Sequence, residues 1–267
     1  MAPFSIATWN INSVRLRIGI VEDFLREYEP DVLCLQEIKC QNDQFPAKAF
    51  KKLGYEHHAV HGQKGYHGVA TVSKHPLRDV SSTDYCGKGD TRHVHTHIDT
   101  SSGPIGLHNF YVPAGGDIPD PDKNEKFAHK LDFLDEMKRL KAVQSSVPQV
   151  LVGDLNIAPL ETDVWSHKQL LKVVSHTPIE TEGMHEIMQL GGWSDVMRQH
   201  FPPEDKLFTW WSYRSPNWDE SDKGRRLDHV WTAPELAAKL VDVSVLREAR
   251  GWVKPSDHVP VIARFAL

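Results

Sequence analysis

The sequence predicts an α/β fold built around a large core. Short apolar runs of strand length alternate with amphipathic stretches from one end of the chain to the other. Hydrophobic residues make up 40% and charged residues 25% of the 267 residues, a composition that is typical of a folded globular protein and argues against intrinsic disorder. Because no Gly/Ser-rich linker, low-complexity tract or internal repeat divides the chain, we expect a single domain over residues 1–267.

Nine strands and two helices are predicted in chain order. Apolar runs place the strands at residues 4–9, 32–36, 69–73, 94–99, 105–112, 150–153, 227–231, 241–246 and 259–265. The helices are predicted from apolar residues at helical spacing, which are Val21, Phe24, Leu25 and Tyr28 in the first and Phe127, Leu131, Leu134 and Met137 in the second. Residues 113–122 and 201–222 are rich in Pro, Gly and Asp, so we expect surface loops of a length that usually carries function.

Charge and cysteine content narrow the class of protein. A net charge of −5 argues against a protein that coats nucleic acid, but it allows an enzyme that touches DNA through one face. Cys34, Cys40 and Cys86 form no C-x-x-C spacing, so we expect free thiols and no cysteine ligands to a metal. No apolar run approaches the roughly 18 residues needed to cross a bilayer, and the N-terminus lacks the pattern of a secretory signal. We therefore expect a cytoplasmic protein that makes no membrane contact.

Polar residues able to bind metal or phosphate stand at the ends of successive strands. They are Asn10, Asn12, Glu37, Asp154, Asn156, Asp228, Asp257 and His258. Residues distant in sequence converge at strand ends in α/β sheets, and an antiparallel final strand would bring Asp257 and His258 to the same edge. Each residue alone is compatible with a cap or a surface turn. Together, carboxylates and carboxamides with one histidine form an oxygen-rich site that suits Mg²⁺ or Mn²⁺ rather than zinc.

Eight short strings resemble, in order, the motif set of the exonuclease III and AP-endonuclease family. They are WNIN (9–12), LQEIK (35–39), GQKG with GVA (62–65 and 68–70), NFYVP (109–113), GDLNI (153–157), WWSYR (210–214), RLD (226–228) and PSDHVP (255–260). The resemblance covers nearly the whole chain. It implies a four-layered α/β sandwich in which two mixed β-sheets pack face to face with helices outside. It also implies a monomeric DNA-repair phosphodiesterase that acts on double-stranded DNA at abasic sites and 3′ ends.

A Mg²⁺ cofactor, for which Mn²⁺ would substitute, is implied by the same resemblance. Glu37 would be the main ligand, supported by Asn10 and Asp257. Further candidates for the surroundings of the metal are Asp154, Asn156 and His258. Whether one or two ions bind stays open at the level of sequence.

Catalytic roles also follow from the resemblance. Phosphodiester hydrolysis builds up negative charge on the equatorial oxygens of phosphorus, which needs cations and hydrogen-bond donors nearby. His258 and Tyr111 would be donors, and Asp228 would fix the tautomer of His258. Asp154 would orient or deprotonate the attacking water, and Asn156 would hold water or phosphate. Either Asp154 or His258 could take the proton.

Contacts with DNA are expected from Asn12, Lys64, Arg92, Lys126, Trp210, Arg214, Arg225 and Leu227. Relatives that cut at abasic sites wall a small pocket with residues at the positions of Trp210 and Leu227. A sugar without a base can enter such a pocket at little cost, whereas a normal nucleotide must first unstack. The residue after Pro113 is often Gln or Asn in relatives, and Ala114 cannot make that polar contact.

Other features allow a simpler explanation. A solvated surface is the default interpretation for the basic residues, which also include Lys130, Lys223 and Arg226. Aromatic residues within 208–213 could belong to the core, although neighbouring arginines favour stacking on bases. The H-x-H spacing of His93, His95 and His97 occurs in zinc sites, but a polar strand face near the surface is the favoured interpretation.

Two other functions remain alternatives. A phosphatase acting on inositol phosphates or phospholipids would leave the motifs at 36–39 and 226–228 unexplained, and the chain offers no membrane-binding amphipathic segment. A catalytically silent DNA-binding protein is disfavoured because the set of polar residues at the strand ends is intact. The balance between AP-endonuclease, 3′-exonuclease and 3′-phosphatase activity depends on loop shape and is left open by the sequence.

Overall fold

The computed structural model describes residues 3–143 and 145–267. Its strands are β1 (Phe4–Asn10), β2 (Val32–Gln36), β3 (His57–His61), β4 (Val69–Ser73), β5 (Leu77–Ser81), β6 (His93–Thr100), β7 (Gly103–Tyr111), β8 (Gln149–Asp154), β9 (Ser194–Asp195), β10 (Trp210–Trp211), β11 (Gly224–Arg225), β12 (Asp228–Thr232), β13 (Leu240–Val245) and β14 (Val261–Phe265). Its helices are α1 (Ile18–Tyr28), α2 (Ala47–Lys51), α3 (Glu125–Met137), α4 (His167–Leu170), α5 (Pro178–Gly191), α6 (Val196–His200), α7 (Trp218–Ser221) and α8 (Pro234–Ala237). Short 3₁₀ turns occur at Asn42–Gln44, Tyr85–Gly87, Glu161–Asp163 and Arg247–Gly251.

Two six-stranded sheets form the centre of the molecule. The first has the order β13-β14-β1-β2-β4-β3 and the second β5-β6-β7-β8-β12-β9. Each is mixed, because β1 pairs parallel with β2 and β7 with β8, whereas the other neighbours are antiparallel. The remaining pair, β10-β11, is a separate two-stranded ribbon.

The core lies in three layers that follow from this arrangement. Between the sheets, Ile6 from the first packs with Val152 from the second. On the outer faces, Trp9 lies under Phe24 of α1, and the second sheet packs against α3 and α5. Strands buried on both faces are mostly apolar along their length, which explains the apolar runs of β2 and β8. The expected four-layered α/β sandwich is confirmed.

Several elements escaped sequence prediction. Strands β3 and β5 have the sequences HHAVH and LRDVS and lie at sheet edges with much of their surface exposed, so they carry no apolar run. Helix α5 begins with a capping box between Thr177 and Glu180 and with Pro178 in its first turn, which are helix-start signals. It was missed because few of its residues are buried and apolar.

The predicted loop at 201–222 is wrong in two places. It contains β10 and the short helix α7, so its aromatic residues are held by regular structure. Residues 113–122 form a loop as expected. Cys34, Cys40 and Cys86 are free thiols. Among the described residues, no helix has both the length and the apolar character that crossing a membrane requires.

The topology brings the polar strand ends to one edge of the sandwich. Asn10 is the last residue of β1, and Glu37 directly follows the neighbouring parallel β2. In the second sheet, Asp154 at the end of β8 is paired in register with Tyr111 of β7 and Asp228 of β12. Strand β14 runs antiparallel to β1, so the segment before it ends at this same edge.

Candidate active site

A buried amide links the carboxylates of the two sheets. Asn10 Nδ2 donates to Glu37 Oε1 at 3.0 Å and to Asp154 Oδ2 at 2.8 Å. The side-chain oxygen of Asn10, Oδ1, accepts a hydrogen bond from the backbone N–H of Asn12 at 3.1 Å. Asn10 is completely buried, so its orientation is fixed. The buried Asn10 amide therefore holds one carboxylate oxygen of Glu37 and one of Asp154 close to each other.

The backbone at three of these polar positions is strained. Asn12, Glu37 and Asn156 have φ values of 47°, 48° and 54°, in the left-handed region that non-glycine residues rarely occupy. Such conformations persist only where the surrounding structure determines them, and they concentrate at functional sites. All three positions lie one or two residues beyond the end of a strand, at the edge of the sandwich where the polar residues meet.

Glu37 is held as a carboxylate by a neighbouring lysine. Burial alone would raise its pKa, but the ammonium of Lys39, 2.8 Å from Oε2, acts with Asn10 and His258 to lower the pKa of Glu37 below its ordinary value. Lys39 Nζ also donates to Asn12 Oδ1 at 2.6 Å. Sequence reasoning missed Lys39, although it lies in the same LQEIK string as Glu37.

His258 lies between two buried aspartates. Its Nδ1 is 2.8 Å from Asp228 Oδ2, and its Nε2 is 3.6 Å from Asp154 Oδ2. Burial lowers the pKa of His258, but Asp228 and Asp154 outweigh that effect and raise it to about 10. Burial raises the pKa of Asp154 to about 7, with Asp228 adding to this effect and His258 opposing it. The arrangement therefore favours a positively charged imidazolium facing Asp154.

Backbone contacts fix this histidine in place. The indole N–H of Trp9 donates to the carbonyl of His258 at 3.0 Å. Ser256 Oγ accepts the amide of His258 at 3.2 Å and donates to the carbonyl of Asn10 at 2.6 Å. On the opposite side, Thr209 Oγ1 accepts the backbone amide of Asp228 at 3.1 Å. The charged pair is thus attached to both sheets.

Tyr111 and Arg92 form another side of the site. Burial raises the pKa of Tyr111 well above its ordinary value, and the Glu37 and Asp154 carboxylates act in the same direction. The phenol therefore stays protonated and able to donate. The Arg92 guanidinium lies 4.9 Å from the centre of the Tyr111 ring, and its Nε donates to Asp90 Oδ2 at 2.9 Å. Arg92 is 6% exposed, which places it behind the tyrosine rather than on an open surface.

A cavity of about 250 Å³ opens onto these groups. Its walls include Glu37, Tyr111, Ala114, Asp154, Asn156, Val174, Ser175, Trp210, Arg225, Leu227, Asp257 and His258. Trp210 is half-buried and its indole N–H donates to Asp257 Oδ2 at 3.0 Å, whereas its neighbour Trp211 is buried in the core. Leu227 packs against Trp210 within one apolar cluster. The two residues predicted to wall a pocket therefore do line one.

Oxygen donors dominate the part of this cavity that could hold a metal. Among the described residues, the only close cluster of three metal-ligating side chains is Asp154, Asp228 and His258. In that cluster, Asp228 already accepts a hydrogen bond from Nδ1 of His258. We therefore infer that Asp228 stabilises the positive charge of His258 and does not bind the metal ion. Glu37 and Asp154, bridged by Asn10, fit a hard cation such as Mg²⁺ better.

The chain is similar to known proteins along nearly its whole length. The profile of the endonuclease/exonuclease/phosphatase family matches residues 7–258. This chain belongs to that family. It is 31% identical over 270 residues to exodeoxyribonuclease III of Haemophilus influenzae, covering 97% of this chain and 98% of that protein. The family resemblance noted from the sequence is confirmed.

Solved structures of family members agree closely with this fold. An AP endonuclease from Archaeoglobus fulgidus superposes with a TM-score of 0.90 at 34% identity, covering 99% of this chain and all of that one. The 3′ phosphatase NExo from Neisseria, bound to a product DNA hairpin, superposes with a TM-score of 0.84 at 32% identity, again covering 99% and 100% of the two chains.

In this family member, Asn156 is held by a buried ion pair that sequence reasoning did not find. Asn156 Nδ2 donates to Asp154 Oδ2 at 3.2 Å, and the backbone carbonyl of Asn156 accepts from Lys130 Nζ at 2.8 Å. Lys130 also pairs with Glu180 Oε1 at 2.5 Å, and both side chains are fully buried. The expectation that Lys130 is solvated is therefore wrong. Lys130 lies on the buried face of α3 with Phe127 and Leu134, and this position in the helix was the sequence signal for its burial.

Arg226 is not a surface residue either. Its side chain is fully buried and donates to Asp163 at 2.7 and 2.9 Å and to Asp195 at 2.7 Å. Arg225, the preceding residue, lies in the cavity wall, where its guanidinium is 5.3 Å from the Trp210 ring. Neighbours in an extended segment point in opposite directions, so the basic cluster expected from the sequence is divided between core and site.

The other predicted contacts lie further from the metal-facing oxygens. Asn12 Nδ2 donates to Asp257 Oδ1 at 3.2 Å and so belongs to the site. Lys64, Lys126 and Arg214 are exposed, and none of them lines the 250 Å³ cavity. Their location is compatible with contacts to a long substrate beyond the reacting phosphate.

The sequence favoured a polar strand face near the surface for the histidines of β6, and His93 lies deeper than that. His93 is buried and stacks on Phe110 with 4.4 Å between ring centroids. Its Nδ1 accepts the backbone N–H of Thr83, so its Nε2–H donates to His108 Nδ1, at 3.0 Å. His95 and His97 are half-buried. In the part of the chain that the structure describes, these rings form no three-ligand cluster.

Proposed function

We propose that this protein is a Mg²⁺-dependent DNA-repair phosphodiesterase that cleaves duplex DNA at abasic sites and removes nucleotides or phosphate from 3′ ends. One observation carries the proposal. Asp154, Glu37 and the His258 ring that Asp228 holds meet in a cavity that is also walled by Trp210 and Leu227. The comparisons support it, because the related proteins are named exodeoxyribonuclease III, AP endonuclease and 3′ phosphatase.

The family is metal-dependent, and the donor set here fits Mg²⁺, with Mn²⁺ as a substitute. Glu37 and Asp154 would hold the ion, with Asn10 aligning both carboxylates and Asp257 nearby through Asn12 and Trp210. When bound, the ion would supply positive charge to the phosphate oxygens. The number of ions is left to experiment.

The chain's own residues supply the remaining chemistry. The His258 imidazolium and the Tyr111 hydroxyl both face the cavity and would donate hydrogen bonds to phosphate oxygens as negative charge grows there. Because Asp228 accepts from Nδ1, the Nε2–H of His258 is the end that points towards Asp154 and the cavity. Asp154 would accept the proton of the attacking water, a general-base contribution of about 10²- to 10⁴-fold.

The ion pairs of His258 with Asp228 and Asp154 favour His258 as the hydrogen-bond donor and Asp154 as the base. A histidine held in its protonated form is a poor base and a good donor, so the proton is better taken by the carboxylate. Asn156, fixed through its amide and carbonyl by Asp154 and Lys130, would position the water or a phosphate oxygen. We therefore infer that Asp154 is the general base.

A substrate panel tests the function directly. One labelled duplex would carry in turn an abasic site, a 3′-phosphate and a plain recessed end, and an inositol phosphate would represent the alternative substrate class. We expect Mg²⁺-dependent turnover of all three DNA substrates. Turnover of the inositol phosphate without cleavage of any DNA would overturn the proposal, and binding to DNA without cleavage would favour a silent binding protein. A monomeric state and a cytoplasmic location stay predictions from the sequence.

A further inference from the structure

A second, larger cavity lies on the other side of Trp210 from the reacting groups. Its volume is about 720 Å³, within the range of sites that hold small molecules. It shares Gly116, Val174, Trp210 and Arg225 with the active-site cavity. The two spaces are therefore adjacent, and Trp210 with its stacked Arg225 lines both of them. We call the larger space the outer groove; its other lining residues are Asp117, Trp165, Val173, Ser212, Arg214, Ser215, Pro216 and Lys223.

The residues that line the outer groove are suited to binding a flat, aromatic ligand. Trp165 is half-buried, and the Lys223 ammonium lies 4.9 Å from the centre of its ring. The Trp165 amide donates to the carbonyl of Gly224 at 3.1 Å, which attaches the indole to the same ribbon that carries Arg225. Aromatic rings beside cations bind nucleobases by stacking, without a strong sequence preference.

The outer groove combines basic residues with one carboxylate, which can contact the edge of a base. Lys223, Arg214 and Arg225 make the groove basic, but Asp117 lies on its rim. A carboxylate there repels a phosphate, whereas it can accept hydrogen bonds from the amino groups of a base. The residues assigned to the metal and the reacting phosphate, Glu37, Asp154 and His258, line the inner cavity and not the outer groove.

We propose that the outer groove binds the base of the nucleotide that is removed from a 3′ end. The inference rests on the function proposed above. Hydrolysis forms a bond from water oxygen to phosphorus and breaks the bond from phosphorus to the 3′ oxygen, which leaves with a proton. The departing nucleotide keeps its 5′-phosphate at the inner cavity, and its base needs space beyond the sugar. The outer groove supplies that space, and an abasic sugar or a lone 3′-phosphate does not need it.

Two variants of groove residues outside the catalytic set test the proposal. Trp165→Leu keeps an apolar side chain, and Lys223→Gln removes an exposed charge with little risk to folding. Trp165→Leu should raise the KM for nucleotide removal from a recessed end by about 5- to 150-fold, the effect of losing one stacked base, and Lys223→Gln should raise the same KM by less. Removal of a 3′-phosphate from the same duplex should change less than about twofold. Lys168→Gln is the matched control, because Lys168 is exposed on α4 and lines neither cavity.

Binding measurements keep the inference independent of turnover. Calorimetric titration of the Mg²⁺-loaded enzyme should show that deoxyadenosine 5′-monophosphate binds more tightly than 2-deoxyribose 5-phosphate, and that Trp165→Leu removes the difference. Equal affinities in the wild type, or equal losses on every DNA substrate in both variants, would overturn the groove assignment. Failure of the proposed function has a different signature, namely no cleavage of any DNA by the wild type.

Discussion

His258 Nδ1 and Asp228 Oδ2 are 2.8 Å apart, and both side chains are almost completely buried. A charged pair removed from water is stable only when each member satisfies the other, so the two residues should act as one unit. The contact crosses the sandwich, since Asp228 begins a strand of the second sheet and His258 precedes the last strand of the first.

The first prediction concerns this unit. His258→Ala and Asp228→Ala should each lower kcat/KM on abasic DNA by roughly 10²- to 10³-fold, the usual cost of one transition-state donor. The double variant should lose far less than the product of the two effects, because the carboxylate acts through the ring. Steady-state kinetics of the four proteins provide the measurement. Multiplicative losses would show that the two residues do not share a role.

A second prediction addresses the metal. Glu37→Gln keeps the shape of the side chain but replaces a carboxylate by an amide, which is a poorer ligand for a hard dication. Turnover at limiting Mg²⁺ should fall by more than roughly 100-fold, beyond the range typical of residues that only support a ligand. The thermal midpoint should change little. Glu125→Gln, an exposed carboxylate in the first turn of α3, is the control. Full activity of Glu37→Gln at limiting Mg²⁺ would remove Glu37 from the metal site.

The third prediction concerns the buried pair Lys130 and Glu180. Lys130→Met leaves the Glu180 carboxylate buried and uncompensated, which should cost about 3–5 kcal/mol of unfolding free energy. Adding Glu180→Gln removes the orphan charge and keeps an acceptor for the amides of Ser175 and Thr177, so part of the loss should return. Denaturant unfolding measures both. Lys126→Met on the same helix is exposed and should be neutral, and a loss as large there would contradict the assignment.

Sequence patterns located the strand ends but not the partners of buried charges. Asn10, Glu37 and Asp154 could be found because each directly ends or follows an apolar run and strand ends converge. Lys130 and Arg226 were misplaced because their partners lie 50 and 63 residues away, at Glu180 and Asp163. A basic residue is usually exposed unless it forms an ion pair with a carboxylate. Where that carboxylate is distant in sequence, no local pattern predicts the pair.

Edge strands and lightly buried helices were missed for a related reason. Strand β5 exposes most of its residues, so it lacks the apolar periodicity on which strand prediction depends. Its position is fixed by pairing with β6 instead. In the same way, the cavity wall formed by Trp210 and Arg225 results from the pairing of β10 with β11 across a 12-residue connection, and neither residue alone predicts the contact.

The fourth prediction concerns stability in acid. Burial lowers the pKa of His93 from 6.5 to about 3, and the neighbouring His95 and His61 act in the same direction. Between pH 6.5 and about 3 the unfolded chain therefore binds the extra proton and the folded protein does not, so stability falls as pH falls through that window. At pH 5 the loss from this ring is about 2 kcal/mol relative to pH 7.5.

His93→Phe keeps the stack on Phe110 and should remove that pH-dependent loss, although it lowers stability at neutral pH by leaving the Thr83 amide without its acceptor. Denaturant unfolding at pH 7.5 and pH 5 gives the difference for each protein. His185→Gln, an exposed residue of α5, is the control and should leave the difference unchanged. An unchanged difference in His93→Phe would show that His93 already carries a proton in the folded state.

The last prediction concerns how Trp210 selects substrates. The ring walls the active-site cavity beside Leu227, and its N–H holds Asp257 at 3.0 Å. A sugar without a base can enter such a cavity, whereas a normal nucleotide must unstack at a cost of a few kcal/mol. Trp210→Ala should therefore lower abasic-site cleavage more than 3′-phosphate removal, because a terminal phosphate reaches Glu37 without extrusion of an internal sugar.

Trp210→Phe separates the wall from the hydrogen bond. Phenylalanine keeps an aromatic wall and removes the donor to Asp257, so any loss that reflects positioning of Asp257 should appear in both variants and on all substrates. The part specific to abasic DNA should appear in Trp210→Ala alone. Rates on abasic and 3′-phosphate duplexes, together with the thermal midpoint, decide the matter. Because Trp210 is half-buried rather than part of the core, the midpoint should fall only slightly. Equal loss of every activity with a strongly lowered midpoint would instead make Trp210 a structural residue.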